Sequence, residues 1–162
     1  MTLPPGAWIL DGDPSVLTLA AQAKGRTVRL TAPIHAADLT VDAAGVVLTM
    51  SIGINDVRSG GFIMDTALRA FLVGYGANEL FFVGSGAADA DPPAVTGVAR
   101  SGRVAVDLDL VLTPVEHTAG TLGIALSGTA VFEDVDVPIP GIGRLDSIVL
   151  AAAADLRLRA DA

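Results

Sequence analysis

Apolar and polar residues alternate almost without interruption from residue 27 to residue 54. The same period of two returns over residues 104–112 and 148–159. Successive side chains of a β-strand point to opposite faces, so this pattern predicts strands with one buried and one wet face. The four alanines at residues 151–154 also suit a helix, but the alternation continues through residues 155–159 and favours a strand.

Further short strands are predicted where apolar runs are bounded by residue types that favour turns. They cover residues 8–11, 16–21, 79–83, 94–99 and 122–126. Pro33 has no backbone N–H to donate, so it indicates a sheet edge or a bulge in the strand that contains it. Residues 138–141, with two prolines and a glycine, predict a loop before the last strand.

A short helix is predicted over residues 65–73, where Asp65 can cap the first turn and Gly74 follows the last. Its apolar residues are Leu68, Phe71 and Leu72. About two turns of helix are too short to be stable alone, so we expect this helix to pack against the sheet.

The predicted fold class is all-β. About eight strands, one short helix and no alternation of strands with helices are typical of a β-sandwich or a closed antiparallel barrel. A chain of 162 residues, of which 51% are hydrophobic, can bury the core of a single domain over residues 1–162. Closure into a barrel would also remove the open edges that invite aggregation.

Charge and composition exclude several classes of partner. The net charge is −8 and the ten Lys and Arg residues are scattered, so the basic surface that binds phosphates is missing and no nucleic acid is expected. No apolar run approaches the about 18 residues of a spanning helix, so no membrane insertion is expected. The chain has no Cys, which excludes a disulfide framework, a thiolate nucleophile and a Cys-ligated zinc. Residues 1–7 resemble no secretory signal, so we expect a cytoplasmic protein.

Three segments resemble the YceI-like family. Residues 8–15 resemble its W-x-I-D-x-x-x-S opening, residues 51–68 its strand, loop and helix, and residues 138–143 its C-terminal hairpin. Met64 and Ala67 stand where the family's R-D-x-H-L box has Arg and His. The resemblance implies a lipocalin-like, up-and-down antiparallel barrel whose elongated apolar cavity holds a polyisoprenoid or a similar long-chain lipid.

The inward apolar rows are the candidate ligand site, because a barrel of about eight strands either fills its interior or holds one small ligand. The chain has only five Phe, one Trp and one Tyr to fill it. The predicted ligand-binding residues are Trp8, Leu48, Met50, Ile52, Leu68, Phe71, Leu72, Phe82, Leu108 and Leu110. Of these, Trp8 suits closure of a barrel end or contact with ligand, but a plain packing role is favoured for it. The helix residues suit either a lid or a fixed plug.

The predicted function is binding, and sequestration or transport, of a long apolar small molecule such as an isoprenoid or a fatty-acid-like lipid. The alternative is a filled barrel that acts as a protein-interaction or stress-associated scaffold, with a homodimer formed through an exposed face. A hydrolase or isomerase for a hydrophobic substrate comes third, because it needs polar groups that converge inside the barrel.

Other chemistry has weak signals in the sequence. His35 and His117 are isolated, the acidic residues 133–136 lack EF-hand spacing, and Asp107 and Asp109 fit a wet outer face. No Gly-x-Ser-x-Gly elbow and no nucleotide-binding glycine motif is present. We therefore expect no catalytic residues, no metal and no cofactor, and a protein that is not an enzyme.

Overall fold

A computed structural model describes most of the chain. The described residues are 3–12, 15–23, 26–59, 61, 65–66, 69–70, 79–87, 89–102, 104–132, 137–139, 143–145 and 148–161. Their strands are β1 (Gly6–Leu10), β2 (Ser15–Ala23), β3 (Arg26–Asp42), β4 (Gly45–Gly53), β5 (Glu79–Gly86), β6 (Ala94–Ser101), β7 (Val104–His117), β8 (Thr121–Phe132), β9 (Val137–Ile139), β10 (Gly143–Leu145) and β11 (Ile148–Ala160). A single 3₁₀ turn, Ile54–Asp56, is assigned within these ranges.

The strands from β2 to β8 pair antiparallel in chain order, and β11 returns to pair with both β2 and β8. The closing ladder is long, because it runs from Ile148 opposite Phe132 to Arg159 opposite Thr121. The sheet is thereby closed on itself, which confirms the antiparallel up-and-down barrel. The barrel has eight positions around its wall among the described strands.

Two consecutive strands share one of those positions. Both β1 and β2 lie between β11 and β3 and run in the same direction. Along β11, Leu10 of β1 is opposite Leu158, and Leu17 of β2 is opposite Ala154. Together, β1 and β2 therefore occupy a single position in the barrel wall. In the described part of the chain the sheet has nine strands, but its wall has eight positions.

The bulge that Pro33 indicated is present in β3. The register between β3 and β4 shifts between Ile34 and Ala36. Ile34 and Ala37 are both buried as a result, although they are an odd number of residues apart. The bulge therefore keeps both halves of a 17-residue strand facing the same core.

Two further expectations concern the second half of the chain and the helix. The four alanines of residues 151–154 lie in β11, which confirms a strand there. Residues 138 and 139 were expected in a loop, but they belong to β9, which pairs with β10 in a small separate hairpin.

In the expected helix 65–73, residues 67, 68 and 71–73 lie outside the described part of the chain, so this helix stays a prediction.

The core lies inside the barrel, and charged side chains lie outside it. Asp107 and Asp109 of β7 are exposed, as their alternation with buried Val106 and Leu108 predicts. We name the two ends of the barrel by an inward residue at each. The Trp8 end carries the turns from β3 to β4, β5 to β6 and β7 to β8, and the Ser101 end carries those from β2 to β3 and β6 to β7.

Candidate functional site

The interior of the barrel is lined by the apolar rows that the sequence predicts. Those predicted ligand-binding residues that the structure buries there are Leu48, Met50, Ile52, Phe82, Leu108 and Leu110. Phe82 lies directly opposite Met50 on the neighbouring strand, whereas Leu108 and Leu110 lie on a more distant part of the wall. Leu68, Phe71 and Leu72 lie outside the described residues, so their roles stay predictions.

Large buried side chains line the interior at the Trp8 end. Trp8 is 5% exposed, and its indole Nε1 donates a hydrogen bond of 3.3 Å to the carbonyl oxygen of Pro4. Its ring meets His117 edge to face, with 5.9 Å between the ring centroids. Buried leucines from four other strands surround this end: Leu39, Leu48, Leu122 and Leu158. Trp8 is therefore part of the packing that closes this end.

Small residues line the middle of the barrel wall, and Gly84 extends this group to a position opposite Leu48 of the Trp8 end. Ala152 lies opposite Gly128, and Gly97 lies opposite Gly84, so small residues meet across neighbouring strands. Other buried alanines in this region are Ala32, Ala37, Ala99, Ala130 and Ala154. Side chains of this size reach less far toward the barrel axis than the leucines of the Trp8 end do. Sequence reasoning noted the abundance of Ala and Gly but did not place these residues in the site.

At two of the inward-facing glycines there is no room for a side chain, and the obstacle differs between them. A methyl group at Gly128 would meet the carbonyl oxygen of Asp109, so the backbone of β7 leaves no room for a side chain. At Gly84 the space is taken by the ring of Phe82 from the same strand. Phe82 is fully buried, so its ring lies along the inner wall of β5.

The interior offers little polar chemistry within the described residues. Ser101, at 9% exposure, is the buried polar side chain found there, and it lies opposite Val104 in the hairpin from β6 to β7. A hydroxyl can donate one hydrogen bond and accept two. Charge is confined to the outside, where Arg159 and Asp11 approach to 3.9 Å.

Two histidines and one aspartate complete the candidate residues. His35 Nε2 lies 4.0 Å from the carboxylate of Asp56, whereas His117 lies against Trp8 at the other end. Asp65 accepts hydrogen bonds from the hydroxyl of Ser59 at 2.7 Å and from its backbone N–H at 2.6 Å, and these bonds lower the pKa of the Asp65 carboxyl. No cluster of metal-ligating side chains is found in the described ranges.

Comparison with known proteins gives likeness in structure and none in sequence. No protein-family model matches the chain, and no curated protein matches it.

Within the described residues, no helix has the length and apolarity that crossing a membrane requires.

Two solved structures share the fold. BcnA of Burkholderia cenocepacia aligns with a TM-score of 0.59 and 13% identity over 87% of this chain and 95% of its own. A polyisoprenoid binding domain from Saccharophagus degradans, implicated in plant cell wall breakdown, aligns with a TM-score of 0.58 and 13% identity over 94% of this chain and 98% of its own. At this identity the likeness shows a common fold, the closed antiparallel barrel described above.

Proposed function

We propose that this protein binds a long apolar small molecule, an isoprenoid or another lipid, inside its barrel. The observation that carries the proposal is the interior itself, where alanines and glycines face one another across neighbouring strands while the Trp8 end is packed with leucines. The fold shared with a polyisoprenoid-binding domain supports the same function. Sequestration or transport of that lipid is the role that we propose for this site.

The ligand's tail lies among the small residues, and its head lies at the Ser101 end. The Trp8 end is closed by bulky side chains, so the tail stops before it reaches them. Ser101 provides a buried hydroxyl at the opposite end, where it suits the alcohol or carboxyl head of a lipid. Each buried CH₂ contributes about 0.8 kcal/mol, so a tail of about ten carbons supplies about 8 kcal/mol before the cost of immobilising it.

The test is direct extraction. Freshly purified protein is extracted with organic solvent, and the extract is examined by mass spectrometry beside an extract of a filled, unrelated barrel protein of similar size. We expect a long-chain lipid in near-stoichiometric amount, or uptake of added farnesol or palmitate by lipid-free protein. The absence of both bound and added lipid would contradict the proposal.

A second candidate function, self-association, is favoured by the outer face of β5. Phe81 and Val83 are 55% and 49% exposed, and Val98 of β6 lies opposite Val83. On the β6 side, Arg100 lies opposite Phe81. On the β4 side, Glu79 accepts a 2.6 Å hydrogen bond from the hydroxyl of Ser51.

A second copy fits this face through a two-fold axis parallel to β5. Such an axis stacks Phe81 on its symmetry mate and sets Arg100 of each copy against Glu79 of the other. Sedimentation equilibrium tests it. Glu79→Arg and Arg100→Glu are each expected to weaken the dimer, and the double variant to restore it; a wild type that stays monomeric at high concentration excludes this candidate.

A further inference from the structure

Within the described part of the chain, β4 does not pair with the first half of β3. The ladder between β3 and β4 ends where Ile34 lies opposite Ile52, although β3 begins eight residues earlier at Arg26. The partner strand β4 stops at Gly53. Among the described residues, the first half of β3 therefore has a ladder on its β2 side and none on the other.

A short segment covers this gap, and we name residues 54–59 the strap. After the 3₁₀ turn Ile54–Asp56, Arg58 pairs with Thr31 of β3 in an isolated bridge. Two backbone hydrogen bonds form it, from Thr31 to Arg58 at 2.8 Å and from Arg58 to Thr31 at 2.9 Å. Ile54 and Val57 are buried, so the strap closes the apolar interior at this place.

Within the described residues, the strap pairs with β3 through one isolated bridge, whereas β2 and β4 pair with β3 along ladders. His35 of β3 and Asp56 of the strap approach each other to 4.0 Å, and their side chains are 40% and 61% exposed. Exposed side-chain pairs of this kind stabilise a fold only weakly. The far end is anchored, because Ser59 donates two hydrogen bonds to Asp65. We therefore expect any opening of the strap to involve residues 54–58, which precede this anchor.

The strap lies beside the part of the interior that the ligand would occupy. Ala32, next to Thr31 in β3, faces inward at 3% exposure, and it lies opposite Leu17. Ile52, the last residue of β4 that pairs with β3, is buried beside the same region. An outward swing of Ile54 and Val57 would therefore open a side passage into the small-residue region without parting any long ladder.

We infer that the strap is the gate through which the lipid enters and leaves the barrel. This inference rests on the proposed lipid-binding function and adds the route of exchange. The bridge between Thr31 and Arg58 breaks for each exchange event and re-forms behind the bound ligand, since local openings favour segments with few buried contacts and exposed hydrogen bonds.

A disulfide across the bridge tests the gate, and the chain has no cysteine of its own to interfere. Thr31 and Arg58 are directly opposite and both exposed, so Thr31→Cys with Arg58→Cys forms an accessible cross-link. The matched control is Thr49→Cys with Val83→Cys, a pair of directly opposite residues on the outer face of β4 and β5.

Uptake and release of a fluorescent polyene fatty acid are followed by stopped flow before and after oxidation. Oxidation of the strap variant is expected to slow both rates about tenfold or more with an unchanged Kd, and a reductant to reverse the effect. Oxidation of the control variant is expected to leave both rates unchanged. Unchanged rates in the oxidised strap variant would overturn the gate and leave lipid binding intact, whereas a wild type without any uptake fails the proposed function itself.

Hydrogen exchange tests the gate without any ligand. The amides of Thr31 and Arg58 are expected to exchange much faster than the amides of the paired stretch Leu39–Asp42 in the same strand, β3. Equal protection of the two sets would show that the strap does not open, and this would overturn the inference even if lipid binds.

Discussion

The ring of Phe82 covers Gly84, two residues further along β5, and occupies the space that a side chain at Gly84 would need. An added methyl group at Gly84 must push this ring toward the barrel axis. We expect Gly84→Ala to fold, with a loss of about 1 to 3 kcal/mol, and to bind a fatty-acid probe about tenfold or more weakly. The double variant Gly84→Ala with Phe82→Leu has a smaller side chain at the clash and should recover binding.

Probe titration by fluorescence measures these affinities, and urea unfolding measures the stability. Wild-type affinity in Gly84→Ala alone would mean that the ligand does not pass the inner wall of β5.

Gly128 offers a different outcome, because its neighbour is backbone. A methyl group there would meet the carbonyl oxygen of Asp109, which cannot rotate away. Gly128→Ala is therefore expected to lower the free energy of unfolding by about 2 to 4 kcal/mol. Gly120→Ala, in the turn between β7 and β8 with nothing within 4 Å, is the control and should change it by less than about 0.5 kcal/mol. Equal urea midpoints for the two variants would contradict the close approach of β7 and β8.

Trp8 reports on how far the ligand extends, because it is the only tryptophan in the sequence. It is buried at the closed end, so its emission should be blue-shifted in the free protein. Our placement of the tail predicts little change in that emission when a tail of about ten carbons binds, since the leucines of the Trp8 end lie between the two. Strong quenching by a lipid brominated at the tail end would instead place Trp8 in contact with ligand, as the sequence alone suggested.

The carboxyl of Asp65 has a lowered pKa because the hydroxyl and the backbone N–H of Ser59 both donate to it. A lowered pKa in the folded state stabilises the fold above the pKa of the unfolded chain, and that contribution is lost as pH falls through the folded value. Ser59→Ala removes the side-chain donor and should raise the pKa of Asp65 toward its ordinary value, whereas Ser59→Thr should keep it low. Carboxyl titration by NMR distinguishes the two variants, and identical titration curves would show that the hydroxyl is not the cause.

The alternation of side chains was enough to predict most of the barrel. The row from Val46 to Ile52 and the row from Val104 to Leu112 are buried as predicted, and the exposed Asp107 and Asp109 follow from the same period. The alternation of apolar and polar residues depends only on neighbouring positions in the chain. It therefore predicts which side chains are buried wherever one face of the sheet is buried. The alanines of β11 obey it in spite of their helix propensity, because burial of alternate residues outweighs intrinsic preference.

What the sequence left open depends on contacts between distant segments. Nothing local indicates that β1 and β2 share one wall position, since this follows from their pairing with β11 about 140 residues later. The bridge between Thr31 and Arg58 is hidden for the same reason, because Arg58 follows a 3₁₀ turn rather than a strand. The small residues of the site were visible as composition, but their grouping required the register of β5, β6, β8 and β11.

The most direct test of lipid binding inside the barrel compares two neighbouring alanines of β11. Ala152 faces the interior at 3% exposure and Ala153 is exposed on the outer face, so leucine at each position adds the same atoms on opposite sides of one wall. Equilibrium binding of farnesol is measured for the wild type, Ala152→Leu and Ala153→Leu. We expect the wild type and Ala153→Leu to bind one equivalent of farnesol with equal affinity. Ala152→Leu is expected to bind about a hundredfold more weakly, because the added side chain fills space that the ligand would occupy. For the same reason its free energy of unfolding is expected to change by less than about 1 kcal/mol. Equal binding by all three proteins would place the lipid outside the barrel, and a loss of stability of about 3 kcal/mol in Ala152→Leu would show an interior that is already full.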